Sequence, residues 1–103
     1  MGFEIIQSTT AISDLENILV YISIQLKNPT AASRLLDEYE DRMATLRQSP
    51  RFYRPANIER LARRGYHQFK FGSYIAFYLI DEKGQKVSIA RIFYKKRDYA
   101  NIL

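Results

Sequence analysis

The segment YHQFKFGSYIAFYLIDEKGQKVSIARIFY occupies residues 66–94 and is rich in aromatic and β-branched side chains, which favour extended strands. Two short polar breaks, at residues 72–73 and 81–85, divide it into three parts. Breaks of two to five residues that contain glycine are typical of hairpin loops. We therefore expect a three-stranded antiparallel meander with two tight hairpins. The predicted strands cover residues 66–71, 74–80 and 86–94.

Apolar residues recur at intervals of three and four in two segments before residue 50, which predicts two helices with one apolar stripe each. The first stripe contains Leu15, Ile18, Leu19, Ile22 and Leu26, and the second contains Ala32, Leu35, Leu36, Tyr39, Met43 and Leu46. The first helix has two candidate starts, the hydroxyl cluster of residues 8–10 and Ser13 with Glu16. Asn28 can cap the second helix and Pro29 suits its first turn. The link between the helices is so short that we expect an antiparallel helical hairpin.

The remaining segments complete an α+β fold. Residues 1–7 alternate loosely and predict an opening strand, whereas residues 51–57 indicate a loop. Residues 58–64 are expected to form one helical turn or two, ended by Gly65, and residues 95–103 a short helix or an irregular end. The helical hairpin should pack on one face of a mainly antiparallel sheet. The other face is expected to stay partly open and to hold most of the positive charge.

The composition is that of an ordinary globular chain, with 103 residues, 47% of them apolar and 26% charged. We expect a single domain over residues 1–103. The chain has no cysteine, which removes disulfides and thiolate sites and suits a reducing, cytoplasmic compartment. With one histidine, a metal site is not expected, and no cofactor-binding motif is present. No apolar run approaches the roughly 20 residues of a membrane helix, so no membrane partner is expected.

Positive charge is concentrated in the second half of the chain. Residues 1–50 hold four basic and seven acidic residues, a net charge of −3, whereas residues 51–103 hold twelve and four, a net charge of +8. Seven of those twelve basic residues are arginines, which hold phosphate or carboxylate groups bidentately. This asymmetry predicts a polyanionic or acidic partner.

The basic residues of the second half are expected to gather into one exposed patch that binds nucleic acid or an acidic protein. The candidate binding residues are Arg51, Arg54, Arg60, Arg63, Arg64, Lys70, Tyr94, Lys95, Lys96 and Arg97. Tyr53, Tyr66, Tyr94 and Tyr99 lie among them and are candidates for stacking on unpaired bases. Tyrosine is also a common core and edge residue of strands, so both interpretations stay open.

His67 is the one histidine of the chain, and histidine is the side chain that most readily gains and loses a proton near neutral pH. Cleavage of RNA without a metal requires removal of the 2′-hydroxyl proton, protonation of the leaving 5′-oxygen and cations around the phosphorane. His67, with Tyr94 or Tyr99 and the nearby arginines, could supply all three. The candidate catalytic residues for that reaction are His67, Arg63, Arg64, Lys96, Arg97 and Tyr99. A histidine in a strand also has structural uses, so this role is one of two interpretations.

Six segments, spread over nearly the whole chain, show a further pattern. They are residues 12–26, Asn28-Pro29-Thr30-Ala31-Ala32, residues 46–50, Gly65, residues 72–78 (GSYIAFY) and residues 89–98 (IARIFYKKRD). In this order they resemble the RelE/ParE superfamily of bacterial type II toxins. The resemblance implies a compact α+β toxin that forms a hetero-oligomer with a cognate antitoxin, whose acidic, partly disordered segment wraps the basic face.

Two target classes occur in this superfamily: messenger RNA on the ribosome for the RelE branch, and DNA gyrase for the ParE branch. The catalytic residues of the RelE branch are poorly kept here. Tyr66 and Gln68 stand where that branch has lysines, and Ile75 stands where it has an arginine. Only the late basic position, Lys96 or Arg97, and the late tyrosine, Tyr99, match that set.

The helical hairpin and the pair Arg97-Asp98 are more similar to the ParE branch, although that branch commonly has a histidine where Tyr94 stands. We therefore expect a growth-inhibiting toxin that acts on DNA gyrase. The first alternative is a ribosome-dependent messenger RNA endoribonuclease, the only one of these functions that would make the protein an enzyme. The second alternative is a catalytically inert nucleic-acid-binding module with the same fold.

Overall fold

The computed structural model describes residues 2–97 and Tyr99. In this part of the chain the elements are β1 (Glu4–Gln7), α1 (Thr9–Val20), a π-helical turn (Tyr21–Gln25), α2 (Pro29–Gln48), α3 (Glu59–Arg63), β2 (His67–Phe71), β3 (Tyr74–Asp81) and β4 (Lys86–Tyr94). The three strands predicted after residue 65 agree with β2, β3 and β4 to within one residue. Met1, Asp98 and residues 100–103 lie outside the described residues, and with them the ends of the predicted opening strand and tail.

The strands form one sheet in the order β1-β4-β3-β2, which confirms the predicted α+β architecture. β3 pairs antiparallel with β2 on one side and with β4 on the other, as the two hairpins require. β1 pairs with β4 in parallel, from Glu4 opposite Lys86 to Gln7 opposite Ile89. The first strand of the chain therefore lies beside the last one, at an edge of the sheet.

Beyond the end of β1, α1 and its N-cap contact the backbone of β4. The Ser8 N–H donates to the carbonyl of Ile89 at 3.0 Å, and the Ser8 hydroxyl donates to the carbonyl of Ala90 at 2.8 Å. Farther along the helix, the Asp14 carboxylate accepts from the backbone N–H of Ile92 at 2.9 Å. Side chains of α1 thus satisfy backbone groups of β4 beyond the end of β1.

α1 begins at the first of its two candidate starts. The Ser8 hydroxyl oxygen accepts from the N–H of Ala11 at 2.9 Å, which makes Ser8 the N-cap and places Ser13 inside the helix. Four residues of the predicted stripe pack against the core, as the helical period requires: Leu15, Ile18, Leu19 and Ile22.

The prediction for the last residue of that stripe, Leu26, is wrong. α1 runs directly into the π-helical turn, in which the Leu26 N–H donates to the carbonyl of Tyr21, five positions earlier, at 3.0 Å. A π turn contains an extra residue and shifts the phase of the side chains that follow. The Leu26 side chain is consequently 54% exposed instead of buried.

α2 forms the main core with one face of the sheet, which we call the first face. The Asn28 side chain caps this helix by accepting from the N–H of Ala31 at 3.0 Å. The Tyr39 ring packs against Phe71 with the ring centres 5.0 Å apart. Five of the six residues of its predicted stripe are buried: Ala32, Leu35, Tyr39, Met43 and Leu46.

The β2–β3 hairpin is fastened to α2. The N–H of Gly72 donates to the Glu38 carboxylate at 2.6 Å, and Nε of Arg42 donates to the carbonyl of Lys70 at 2.9 Å. Gly72 has φ +56°, and a Cβ there would lie 2.6 Å from Cδ1 of Leu35. Glycine takes this left-handed conformation without strain, and its missing Cβ leaves room for the Leu35 side chain.

The opposite face of the sheet, which we call the second face, was expected from the sequence to stay partly open, but it is covered over its centre. Ile75, Phe77 and Phe93 are buried there under Leu61 of α3 and under Tyr99. The cover forms because residues 54–56 pair with the start of β2, through two backbone hydrogen bonds of 3.1 and 2.9 Å. This pairing folds α3 back over the sheet and builds a second, smaller core.

The described part of the chain contains no helix long and apolar enough to cross a membrane.

Candidate functional site

A groove of about 800 Å³ lies between the helical hairpin and one end of the sheet. We call it the hairpin groove. It is lined by Asn17, Ile18, Tyr21, Ile22, Leu26, Asn28, Ala31, Leu35, Ser73, Tyr74 and Tyr94. Its volume lies in the usual range of about 300–1,000 Å³ for binding pockets.

The rim of the hairpin groove exposes large apolar side chains. Tyr21 is 46% exposed, Leu26 is 54% exposed and Tyr94 is 44% exposed. The π-helical turn is the local reason, because it carries Leu26 out of the buried stripe and to the rim of the groove. Contiguous exposed apolar surface of this kind marks interaction sites more often than single exposed residues do.

Three tyrosines meet at the sheet end of the hairpin groove. The rings of Tyr74 and Tyr94 pack edge to face with their centres 5.7 Å apart. Burial, followed by the neighbouring hydroxyls of Tyr21 and Tyr94, raises the pKa of Tyr74. The Tyr74 phenol is therefore a neutral hydrogen-bonding group in the wall of the groove.

The basic residues of the second half do not gather into one patch, so that prediction is wrong. Nε of Arg51 donates to Glu82 at 2.7 Å, beside the β3–β4 turn. The backbone N–H of Lys95 donates to Ser73 at the opposite end of β3. The two sites are separated by the length of that strand, roughly 25 Å at the usual rise per residue. The candidate binding residues fall into three groups.

One group lies at the β3–β4 turn end of the sheet and consists of Arg51 and Arg54. A second group lies over the second face. Arg63 pairs with Glu59 one turn earlier in α3, and the guanidinium of Arg64 lies 5.4 Å from the centre of the Tyr66 ring. The members of this group are Arg60, Arg63, Arg64, Lys70 and Arg97.

The third group borders the hairpin groove. Tyr94 lines the groove itself, and Lys95 and Lys96 follow it in the turn after β4. All three side chains are exposed. Cations therefore stand next to the apolar groove, which suits a partner with both apolar and acidic side chains.

The candidate catalytic residues are divided between the two faces of the sheet. His67 lies on the first face, where its ring stacks on Tyr78 with the centres 5.6 Å apart and its Nδ1 lies 3.1 Å from the carbonyl oxygen of Tyr53. Tyr99 lies on the second face, where it is 9% exposed and stacks on Phe93. The sheet separates the two side chains, so they do not meet at one phosphate.

Three of the four remaining candidate catalytic residues lie on the side of Tyr99, whereas Lys96 borders the hairpin groove. Arg97 lies over the ring of Phe93, with its guanidinium carbon 5.8 Å from the ring centre. Arg63 and Arg64 belong to α3 and its C-cap and are exposed, and Lys96 is exposed in the turn after β4. The acidic side chain beside these arginines is Glu59, and its carboxylate is engaged by Arg63.

The positions at which the RelE branch has its cationic catalytic residues are buried here. Tyr66 is 7% exposed, Gln68 is 2% exposed and Ile75 is 3% exposed, all in or beside the second core. The side-chain oxygen of Gln68 is engaged by the backbone N–H of Asn57 at 2.9 Å. This surface is a packed interior with no room for a phosphate.

Among the described residues, no three His, Cys, Asp or Glu side chains come together as a possible metal site. Arg91, which was not a candidate from sequence, forms a largely enclosed ion pair. It donates to Asp14 through Nε at 2.9 Å and through a terminal nitrogen at 3.3 Å. This pair ties α1 to β4 and is structural.

Two functional candidates were missed by sequence reasoning. The hairpin groove arises from three separate elements and has no local motif. Phe52, which is 70% exposed, stands between Arg51 and Tyr53-Arg54 in an irregular loop. The signal that could have found it is an aromatic residue flanked by arginines outside any amphipathic pattern.

Comparison with known proteins agrees with this geometry. Residues 5–99 match the family described as "ParE toxin of type II toxin-antitoxin system, parDE". No curated protein sequence gives a significant match. The fold is similar to a chain of the chromosomal ParDE toxin-antitoxin system from P. aeruginosa, with a TM-score of 0.70 and 18% identity over 89% of this chain and 95% of that one.

A chain of the toxin-antitoxin complex RelBE2 from Mycobacterium tuberculosis is also similar, with a TM-score of 0.62 and 22% identity over 91% of this chain and 99% of that one. At these identities the two structures support the fold alone. The family match extends over nearly the whole chain and, apart from Glu4, includes α1, α2, α3 and the four strands of the sheet. The chain therefore belongs to the family of ParE toxins of type II toxin-antitoxin systems.

Proposed function

We propose that this toxin inhibits growth by acting on DNA gyrase in the cytoplasm and that a cognate antitoxin neutralises it. Membership of the ParE family supports the role of toxin. The arrangement of the second face supports gyrase, rather than messenger RNA, as the target. The protein then acts by binding and needs no catalytic residues of its own.

The observation on which this choice rests is the apolar packing of the second face. A ribonuclease without a metal needs a proton acceptor, a proton donor and cations around one phosphate. Here the centre of that face is filled by Ile75, Phe77 and Phe93, and the histidine lies on the other side of the sheet. The buried side chains can neither hold a phosphorane nor transfer a proton.

The hairpin groove is the proposed docking site of the antitoxin. Both similar structures come from toxin-antitoxin systems, which supports a hetero-oligomer of this kind. A groove between two helices and a sheet suits an amphipathic helical segment, whose apolar side chains would cover Tyr21 and Leu26. Lys95 and Lys96 border the groove and favour acidic side chains on that segment.

The target is tested by inducing the full chain in bacteria and, in parallel, by adding the purified chain to gyrase and plasmid DNA. We expect covalent gyrase–DNA cleavage complexes, an induced SOS response and intact messenger RNA. Cuts in messenger RNA at fixed codon positions, lost in the His67→Ala and Arg97→Ala variants, would instead identify a ribonuclease. The absence of any growth defect on induction would leave the inert nucleic-acid-binding module.

The docking site is tested with Leu26→Glu, which places a carboxylate on the rim of the hairpin groove. We expect this variant to remain toxic while co-expressed antitoxin no longer protects the cells. The matched control is Ile12→Glu on α1, because Ile12 is also an exposed apolar residue, at 44%, but does not line the groove. Equal protection against both variants would contradict docking in the hairpin groove.

A further inference from the structure

The loop Arg51–Arg54 presents an aromatic side chain to solvent between two arginines. Phe52 is 70% exposed, the largest exposed fraction of any large apolar side chain in the described residues. Its ring meets the edge of Tyr53, with centres 5.0 Å apart and planes at 89°. Tyr53 packs in turn on Phe69 of the main core, at 5.7 Å between ring centres. The exposed ring therefore stands on a rigid aromatic support.

The loop is irregular, but the backbone is held at Phe52, Tyr53 and Arg54. The N–H of Phe52 donates to the carbonyl of Ser49 at 2.9 Å, and the carbonyl of Tyr53 lies 3.1 Å from Nδ1 of His67. The carbonyl of Arg54 accepts from the N–H of Gln68 at 3.1 Å. A loop held in this way loses little conformational entropy when a ligand binds.

The flanking arginines give the loop its charge. The Arg51 side chain is 63% exposed even though its Nε donates to Glu82. Arg54 is exposed, and it forms no ion pair within residues 2–97. The two arginines are three positions apart in the chain, a span of at most about 10 Å. Both can therefore reach the phosphates next to a single base on Phe52.

We propose that the loop Arg51–Arg54 binds single-stranded nucleic acid, with one unpaired base stacked on Phe52 and the adjacent phosphates held by Arg51 and Arg54. Aromatic rings that stand in a cationic surface are the usual platform for sequence-tolerant binding of single strands. This inference goes beyond the proposed function, because action on gyrase requires only a protein partner.

A protein partner fits this loop less well than it fits the hairpin groove. Aromatic residues that dominate protein interfaces stand at the centre of a patch from which water is excluded. Phe52 has a charged residue directly before it and another two positions later, and the large exposed side chains Tyr21, Leu26 and Tyr94 lie together at the groove. One exposed ring flanked by two cations provides stacking and phosphate contacts instead of a broad apolar interface.

The test measures the fluorescence anisotropy of a labelled oligothymidylate of about 12 nucleotides, within the usual site sizes. The purified full chain is titrated at about 50 mM salt, where phosphate contacts contribute most. We expect Phe52→Leu to weaken binding roughly 5- to 150-fold, the usual cost of losing one stacked base. Phe52→Tyr keeps the ring and should bind like the unmodified chain.

Arg54→Ala should lower the affinity and reduce the salt slope by about 0.7, the value for one lost phosphate contact on a single strand. The control Ile12→Ala removes an exposed apolar side chain of α1 and should change nothing. Thermal unfolding of each variant checks the fold. Because Phe52 is mostly exposed, its replacement should leave the folded structure intact.

Three results would each overturn the proposal: no binding of the single strand, equal binding by Phe52→Leu, or equally tight binding of a duplex whatever residue stands at position 52. A loss of antitoxin or gyrase binding in Phe52→Leu with unchanged oligonucleotide binding would identify a protein contact instead. The titration contains neither gyrase nor antitoxin. Failure of the gyrase proposal would therefore leave its outcome unchanged.

Discussion

Tyr39 shows how one side chain links the helices, the sheet and the pH dependence of stability. Tyr39 lies in α2 and is 2% exposed, and its hydroxyl donates to the side-chain oxygen of Gln7 in β1 at 2.8 Å. Burial raises the pKa of Tyr39 to about 12. Above pH 10 the unfolded chain releases this proton while the folded protein keeps it, so rising pH favours unfolding.

We therefore predict that plots of the free energy of unfolding against pH cross for the unmodified chain and the Tyr39→Phe variant. Near neutral pH the variant should be less stable by about 1 kcal/mol, because it lacks one hydrogen bond. Between pH 10 and 12 the unmodified chain should lose roughly 3 kcal/mol that the variant does not lose, which corresponds to a shift of two pKa units. Urea unfolding at several pH values measures both. Parallel curves would show that Tyr39 ionises normally in the folded state.

At the residue scale, sequence reasoning identified the chemistry of side chains but not their accessibility. Tyr66 and Tyr99 were candidates for base stacking, yet they are 7% and 9% exposed in the second core. Phe52 was not a candidate and is the most exposed aromatic residue among those described. Accessibility depends on which distant segment covers a residue, and no local pattern records that.

The contact between α1 and β4 shows how two elements are joined at a sheet edge. Asp14 accepts from the Arg91 guanidinium and from the backbone N–H of Ile92. The side chains of the pair are 16% and 22% exposed, which limits screening by water. By contrast, Glu59 and Arg63 in α3 are 77% and 74% exposed. The same type of ion pair therefore has two different environments.

We predict that Asp14→Ala destabilises the fold by about 2–4 kcal/mol, since Arg91 and an edge N–H lose their shared partner. Glu59→Ala is the matched control and should cost less than about 1 kcal/mol, as exposed pairs usually do. Chemical denaturation measures both variants. Similar losses for the two would show that the Asp14 carboxylate contributes no more than a surface charge.

At the element scale, the predicted strands agree with the structure because glycine breaks and a period of two are local signals. The register of α1 was predicted correctly as far as Ile22 and failed at Leu26. The π-helical turn that causes this failure has no sequence signature. The covering of the second face was missed for a similar reason, since it depends on the pairing of residues 54–56 with β2.

For the whole molecule, the division of charge between three surfaces replaces the single patch expected from the sequence. The chain as a whole has a net charge of +5. Such a charge attracts an acidic partner over long distances, but attraction of this kind is screened by salt. The burial of apolar side chains in the hairpin groove depends much less on the salt concentration. Association and dissociation of the antitoxin should therefore respond differently to ionic strength.

We predict that raising the salt concentration slows association of the antitoxin severalfold or more while the dissociation rate stays nearly constant. The Leu26→Glu substitution should act mainly on the other rate. We expect the antitoxin to dissociate faster from this variant, with a smaller change in its association rate. Surface plasmon resonance with immobilised antitoxin measures both rates. A dissociation rate that rises steeply with salt would mean that the complex is held by exposed ion pairs instead of by the groove.

The parallel pairing of β1 with β4 also determines when a newly made chain can become a complete toxin. The 82 positions from Glu4 to Lys86 take roughly 4 to 16 seconds to synthesise at usual rates of translation. Throughout that interval the N-terminal strand has no partner, and α1 lacks the backbone groups that Ser8 and Asp14 bind. Nascent chains that are truncated before β4 should therefore be harmless to the cell that makes them.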